Sequence, residues 1–209
     1  MAAETPALEQ ASHVVLAEIG RVRARSAPFL VALDGGSGSG KSSIADLLQS
    51  RLDAALIRSD DFFSAGITAY GWASRSASEK ARDCIDWRRL RQEALEPLLA
   101  GEAAQWQPFD FLGGALPDGS YATSSQWVRV EPRPVVILEG AYSCRPELSD
   151  VIHLSVLVDV PREMRRARLA PREDPDFLEQ WHQRWDEAEA HYFAQVRPPS
   201  SFDLVVGNS

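Results

Sequence analysis

Lysine is nearly absent from this chain. Of 22 basic residues only Lys41 and Lys80 are lysines, so arginine supplies positive charge almost everywhere else. Cysteine is equally scarce: Cys84 and Cys144 stand far apart and in no C-x-x-C pattern, which argues against a disulfide framework or zinc knuckle and fits a reducing cytoplasm. The four histidines, 13, 153, 182 and 191, show no metal-ligand spacing, and His153, inside an apolar run, reads as a core residue. There is no G-x-S-x-G elbow and no Asn-Lys-x-Asp base-reading motif. Basic charge is also short overall: a net charge of −8 and a pI near 5.0 argue against a nucleic-acid surface, which needs a basic stripe to displace counterions. Met1 to Gln10 carries Glu4 and Glu9 without a basic n-region, and no later stretch approaches a membrane span, so no membrane partner is expected.

Against that background one segment stands out. Residues 35–42 read Gly-Gly-Ser-Gly-Ser-Gly-Lys-Ser, a full match to G-x-x-x-x-G-K-[ST], which implies a nucleoside triphosphate as ligand. It follows the apolar run Phe29 to Leu33 and precedes Ile44, Leu47 and Leu48 at helical spacing, giving strand, glycine loop and helix. Glycines let the loop curl so that amide N–H groups converge on phosphate oxygens, and the helix dipole adds attraction. The expected phosphate cradle is Gly35, Gly36, Ser37, Gly38, Ser39, Gly40, Lys41, Ser42 and Ser43. In a chain that otherwise uses arginine, Lys41 is informative: a compact ammonium reaches phosphates inside the loop where a planar guanidinium would be too wide.

The 209 residues are enough for one substantial core, and the pattern alternates helix and strand as in an α/β protein. An amphipathic helix is expected over 7–25, strands over 28–34 and 55–59, and a helix over 41–53. Residues 64–84, rich in Ser, Ala and Gly, read as a surface excursion, and Asp86 starts a helix ending near Gly101. The aromatics of 104–131, around Gly113-Gly114 and Pro117-Asp118-Gly119, suggest a flap of short strands. Two apolar runs, 134–140 and 151–160, read as central strands of a parallel sheet. Helices are expected at 161–170, bearing four arginines, and at 174–195, before a last strand near 202–206. The stripe Phe177, Trp181, Trp185, Ala188 and Tyr192 reads as core. The expected fold is thus α/β, a three-layer α/β/α P-loop NTPase with a mostly parallel sheet, a flap and an arginine-bearing lid. One domain is expected: N-terminal helix 1–27, phosphate loop and second strand 28–61, excursion and flap 62–131, central strands 132–160, lid and helix 161–195, terminal strand 196–209.

In open α/β sheets ligands bind beyond the carboxyl ends of the strands, where Asp60 and Glu139 should lie. Phosphoryl transfer to an alcohol needs Mg²⁺ across the β- and γ-oxygens, a hydroxyl on that metal, and a carboxylate for the acceptor's proton; Ser42, Glu139 and Asp60 suit those roles. Asp61 should turn to the opposite face. Asp34, just before the loop, is open between a partner for Lys41 or a water and a structural role.

The ordered set of Gly35 to Ser42, Asp60-Asp61-Phe62-Phe63, Pro108-Phe109-Asp110-Phe111, Val135 to Gly140 and Val158-Asp159-Val160-Pro161-Arg162-Glu163 resembles the uridine kinase and phosphoribulokinase branch of P-loop kinases, over roughly residues 29–206. The resemblance implies an ATP- or GTP-dependent kinase for a small hydroxylated acceptor, with Asp60 as catalytic base and metal-shell member, and Ser42 and Glu139 at Mg²⁺. It also implies Arg168 and Arg172 as lid arginines, with Arg165 and Arg166 adjacent candidates. Asp83, Asp86, Phe109, Asp110 and Phe111 are the expected acceptor contacts. Ala81 to Trp87 and Gly113-Gly114 depart from the family's nucleoside-binding segments, which leaves open a vitamin precursor, sugar or antibiotic as acceptor. A regulatory ATP-binding module without an acceptor is the alternative of another class. A homo-oligomer is compatible with all of these.

Overall fold

The structure, a computed structural model, describes residues 6–23, 28–171 and 175–208. Helix α1 (Pro6–Val22) precedes β1 (Phe29–Asp34), the phosphate loop, α2 (Lys41–Arg51) and β2 (Ala54–Arg58). A 3₁₀ turn (Ser59–Phe62) leads into α3 (Ala69–Ser74) and α4 (Ala77–Asp83). Then α5 (Trp87–Leu90) runs through a π turn (Arg91–Leu95) into α6 (Glu96–Leu99). The flap is framed by β3 (Ala104–Trp106) and β4 (Val128–Val130), and β5 (Val135–Glu139), β6 (Leu154–Asp159), α7 (Arg162–Leu169) and α8 (Pro175–His191) follow. A second π turn (Tyr192–Val196) and β7 (Leu204–Gly207) complete the chain.

Five strands form one parallel sheet in the order β2-β5-β1-β6-β7. Glu139 is in register with both Leu33 and Arg58, so β1, β2 and β5 end at one level. Alternation along β1 divides the core. Val31 and Leu33 pack with Val15, Ile19, Ile44 and Leu48 on one face, whereas Leu30 and Ala32 join the cluster containing Trp72, Leu95, Trp185 and Tyr192 on the other. Each such fully buried aliphatic side chain contributes about 1.5–3 kcal/mol. Helices therefore cover both faces, giving the three-layer arrangement.

Three local expectations change, while the flap keeps the short strands expected of it. Residues 64–84 are no loose excursion: α3 and α4 are capped by Thr68 and Ser76, the latter in a capping box with Glu79, and they bury Trp72 and Ala81. Their apolar content is small, but α4 packs against α8, so tertiary contact decides. The second strand ends at Arg58, which puts Asp60 and Asp61 on the 3₁₀ turn. His153 is exposed and precedes β6; its Nδ1 accepts the Leu30 N–H at 3.1 Å, extending the β1–β6 pairing by one residue instead of entering the core. The flap has only two three-residue strands, continued by isolated bridges Phe109 to Thr123 and Ala115 to Tyr121.

Candidate active site

The phosphate loop joins the end of β1 to α2. Gly40, with φ 87° in the left-handed region, precedes α2, and no side chain caps the helix. The first-turn amides at Lys41, Ser42 and Ser43 thus keep the anion-binding capacity of an open helix N-terminus. Ser39 lies fully inside the loop and its Oγ is buried without a hydrogen-bond partner. Asp34 is fully buried beneath the loop. Its carboxylate accepts from the Gly35, Tyr142 and Cys144 amides at 2.8, 3.0 and 3.0 Å and from the Tyr192 hydroxyl at 2.8 Å. It ties the loop to the segment after β5 and to the end of α8, which favours a structural role. Burial raises its carboxyl above the ordinary range, opposed by those donors and by Lys41.

Glu139 ends β5 and is 4% exposed. Ser42 Oγ donates to its Oε2 at 3.2 Å, and Arg58 donates to its Oε1 at 2.8 Å while also holding Asp46 at 2.7 Å. Burial raises the Glu139 carboxyl, with Lys41 and Arg58 opposing and Asp60 reinforcing the shift. Among the described residues no group of three or more His, Cys, Asp or Glu forms a cage for a metal ion. One hydroxyl beside one carboxylate nonetheless suits Mg²⁺, which keeps several waters and takes nucleotide phosphates as ligands.

Two adjoining cavities complete the site. Lys41, Asp60, Ser37 and Glu189 line a small one of about 70 Å³ with Phe111 and Trp181. The other, about 210 Å³, has Phe109, Asp110, Phe111, Tyr121, Trp72 and Arg184 in its walls. Phe63, Phe111, Trp181 and Trp185 belong to both, so the aromatic cavity adjoins the one lined by Asp60 and Lys41. Neighbouring rings meet edge-on or tilted, with Phe109 and Phe111 centroids 4.6 Å apart and Phe63 and Trp185 5.7 Å apart.

No family model matches the chain. It is 28% identical to a uridine kinase of Mycoplasma genitalium over 150 residues, covering 69% of this chain and 67% of that one. It is also 28% identical to a uridine kinase of Chloroflexus aggregans over 181 residues, 82% and 78% of the two chains. The chain is thus similar in sequence to uridine kinases, in agreement with the resemblance its motifs carry. In fold, a possible uridine kinase from Bacillus stearothermophilus superposes with a TM-score of 0.70 at 17% identity, covering 95% of this chain and 98% of that one. A candidate fructose transport system kinase from Silicibacter sp. TM1040 superposes with a TM-score of 0.64 at 24% identity, over 93% and 98%.

The remaining site candidates separate in space. Phe109, Asp110 and Phe111 lie at the aromatic cavity. Asp83 and Asp86 line a different depression beside Arg82, Arg88 and Trp87. There Asp83 pairs with Arg75 and Arg82, which hold its carboxyl below the usual range, and Asp86 caps α5 by accepting the Arg89 N–H at 3.1 Å. Asp61 accepts from Trp106 Nε1 at 2.8 Å, away from the loop, and burial raises its carboxyl. Arg168 reaches the Ser39 carbonyl at 3.4 Å. Arg162 and Arg166 both pair with Asp186 on α8. Arg172 and the side chain of Phe177 lie outside the described residues.

Three participants were not singled out by the sequence as site residues: Arg58, Trp72 and Glu189. Trp72 sat in a segment with no periodic signal. Arg58 ends a strand in line with Asp60, which was a usable signal. Glu189, between the stripe positions Trp185 and Tyr192, carried none.

Proposed function

We propose that this chain is an ATP-dependent kinase that transfers the γ-phosphate to a hydroxyl of a small-molecule acceptor, with a nucleoside as the acceptor class. The observation that carries the reading is that the two cavities adjoin and share four aromatic rings. Lys41 and Asp60 share one with Phe63, Phe111, Trp181 and Trp185, and the same four rings wall the other. A flat base stacks on such rings while its ribose hydroxyl extends toward Asp60. A free hexose suits the pocket less, because few polar groups there would satisfy its hydroxyls.

In this mechanism the loop amides and Lys41 bind and orient the triphosphate. Asp60 takes the proton from the acceptor hydroxyl as its oxygen attacks the γ-phosphorus and the bond to the bridging oxygen of ADP breaks. Ser42 with Glu139, and Asp60, would hold Mg²⁺, which would supply charge neutralisation to the triphosphate. Arg58 keeps Glu139 oriented toward Ser42. The aromatic walls exclude water and so disfavour hydrolysis.

The test is ADP release by the purified protein with Mg²⁺ and ATP across a panel of nucleosides, sugars and other hydroxylated metabolites. Stimulation by uridine or cytidine supports the full reading. Stimulation by sugars alone keeps the chemistry and replaces the acceptor class, and slow hydrolysis indifferent to every acceptor argues for a regulatory ATPase.

A further inference from the structure

Two of the arginines of α7 reach the phosphate loop at different points. Arg168 contacts the carbonyls of Ser39 and Asn208. Arg165 lies at the beginning of the loop, where Nη1 donates to the Ser37 carbonyl at 2.9 Å and Nε to the Val160 carbonyl at 3.2 Å. The same Nη1 is 3.0 Å from Oε2 of Glu189, a side chain on α8 that is 6% exposed. Oε1 of Glu189 in turn accepts the Ser37 N–H at 2.8 Å. The fit leaves no slack: a Cβ on Gly36 would sit 2.4 Å from Arg165 Nη1 and 2.8 Å from Glu189 Oε2.

A buried carboxylate beside a phosphate-binding loop is electrostatically adverse unless a cation is fixed to it. Among the described residues, Glu189 meets that condition only through Arg165. The phosphate in transfer must lie between Lys41 and the hydroxyl served by Asp60, and Glu189 and Ser37 line that same small cavity. Two of the three guanidinium nitrogens of Arg165 are fixed by the contacts above, leaving Nη2 without a partner among the described residues.

Resting on the phosphotransferase reading, we propose that Glu189 is a positioning residue for phosphoryl transfer: it fixes Arg165 at the γ-phosphate end of the loop, making Arg165 the arginine that meets the transferring phosphate. Arg168 then serves the other end of the nucleotide.

Calorimetric binding of Mg²⁺ complexes of ADP and of a non-hydrolysable ATP analogue separates this from general support of the loop. Arg165→Ala and Glu189→Gln should each weaken the ATP analogue about tenfold while ADP changes less than threefold, as loss of one charge-assisted contact to the terminal phosphate requires. The double variant should be no weaker than Arg165→Ala, because both changes remove the same contact. Arg168→Ala should weaken both nucleotides alike. Equal weakening of ADP and the ATP analogue in Glu189→Gln, tighter binding of the analogue, or full additivity with Arg165→Ala would overturn the proposal. If Glu189→Gln does not fold, the Arg165→Ala comparison decides, and an unchanged preference between the two nucleotides there overturns it. Failure of the unaltered protein to bind either nucleotide would instead overturn the kinase reading itself, and the proposal with it.

Discussion

Gly140→Ala should damage both stability and the placement of Asp60 and Glu139. Gly140 follows Glu139 at the end of β5 with φ 141°, a conformation L-residues rarely adopt, and an added Cβ would lie 1.8 Å from Ser59 Oγ and 2.9 Å from Ser59 Cβ. Ser59 is buried at the start of the turn that carries Asp60, so relief of the clash pushes that turn. Backbone strain of this kind costs about 1–3 kcal/mol. Overpacking at a buried contact adds about 1–3 kcal/mol. Together these predict about 2–6 kcal/mol, or a fall in Tm of roughly 4–24 °C for a chain of this size. The two contributions separate in a mutant cycle. Ser59 Oγ is buried without a hydrogen-bond partner, so Ser59→Ala alone should be nearly neutral. In the Ser59→Ala background, Gly140→Ala should lose most of the overpacking cost and keep the backbone strain. Denaturant unfolding of the four proteins measures this directly. If Gly140→Ala lies within about 0.5 kcal/mol of the parent, the size of an ordinary surface change, the reasoning fails.

Asp60→Asn should lower turnover about 10²–10⁴-fold, the range for a general base, with ATP affinity within a few-fold; a variant retaining most of its activity would remove Asp60 from that role. Lys41→Ala should impair nucleotide binding and turnover together, and normal ATP affinity would contradict the loop assignment. Phe111→Ala should raise the acceptor KM roughly 5–50-fold through lost stacking while leaving ATP binding unchanged, and an unchanged KM would place the acceptor elsewhere. Burial raises the Asp186 carboxyl, but Arg166, Arg162 and His182 outweigh it and hold it below its usual range. Its stabilisation of the contact between α7 and α8 is therefore present above the unfolded carboxyl's titration near pH 4, roughly, and lost as pH falls through the lowered folded value. Hydrogen exchange along α7 should accelerate only in that acid range, and unaltered exchange there would refute the tether.

The elements legible from the chain alone were those whose signal is local. β1, β5 and β6 announced themselves as continuous apolar runs, and α1 as an apolar stripe at helical spacing. Residues 64–84 did not, because α3 and α4 carry few apolar residues and owe their order to caps and to packing on α8. Phe109, Asp110 and Phe111 drew notice as an aromatic, acidic cluster and lie at a cavity, whereas nothing in Asp83 or Asp86 distinguished a capping or ion-paired acid from a binding one.

The phosphate loop is written in eight consecutive residues because anion binding there is backbone chemistry: glycines permit the curl, and the amides are present in any sequence that can adopt it. Everything that aims this chemistry is assembled across the fold. Ser42 meets Glu139 over a separation of 97 residues, Ser37 meets Glu189 over 152, and Asp34 meets Tyr192 over 158. These contacts exist because β1 lies between β5 and β6 in a parallel sheet and α8 packs across its carboxyl end, and a carboxylate's partner there is set by strand order and burial, to which no local pattern in the chain refers.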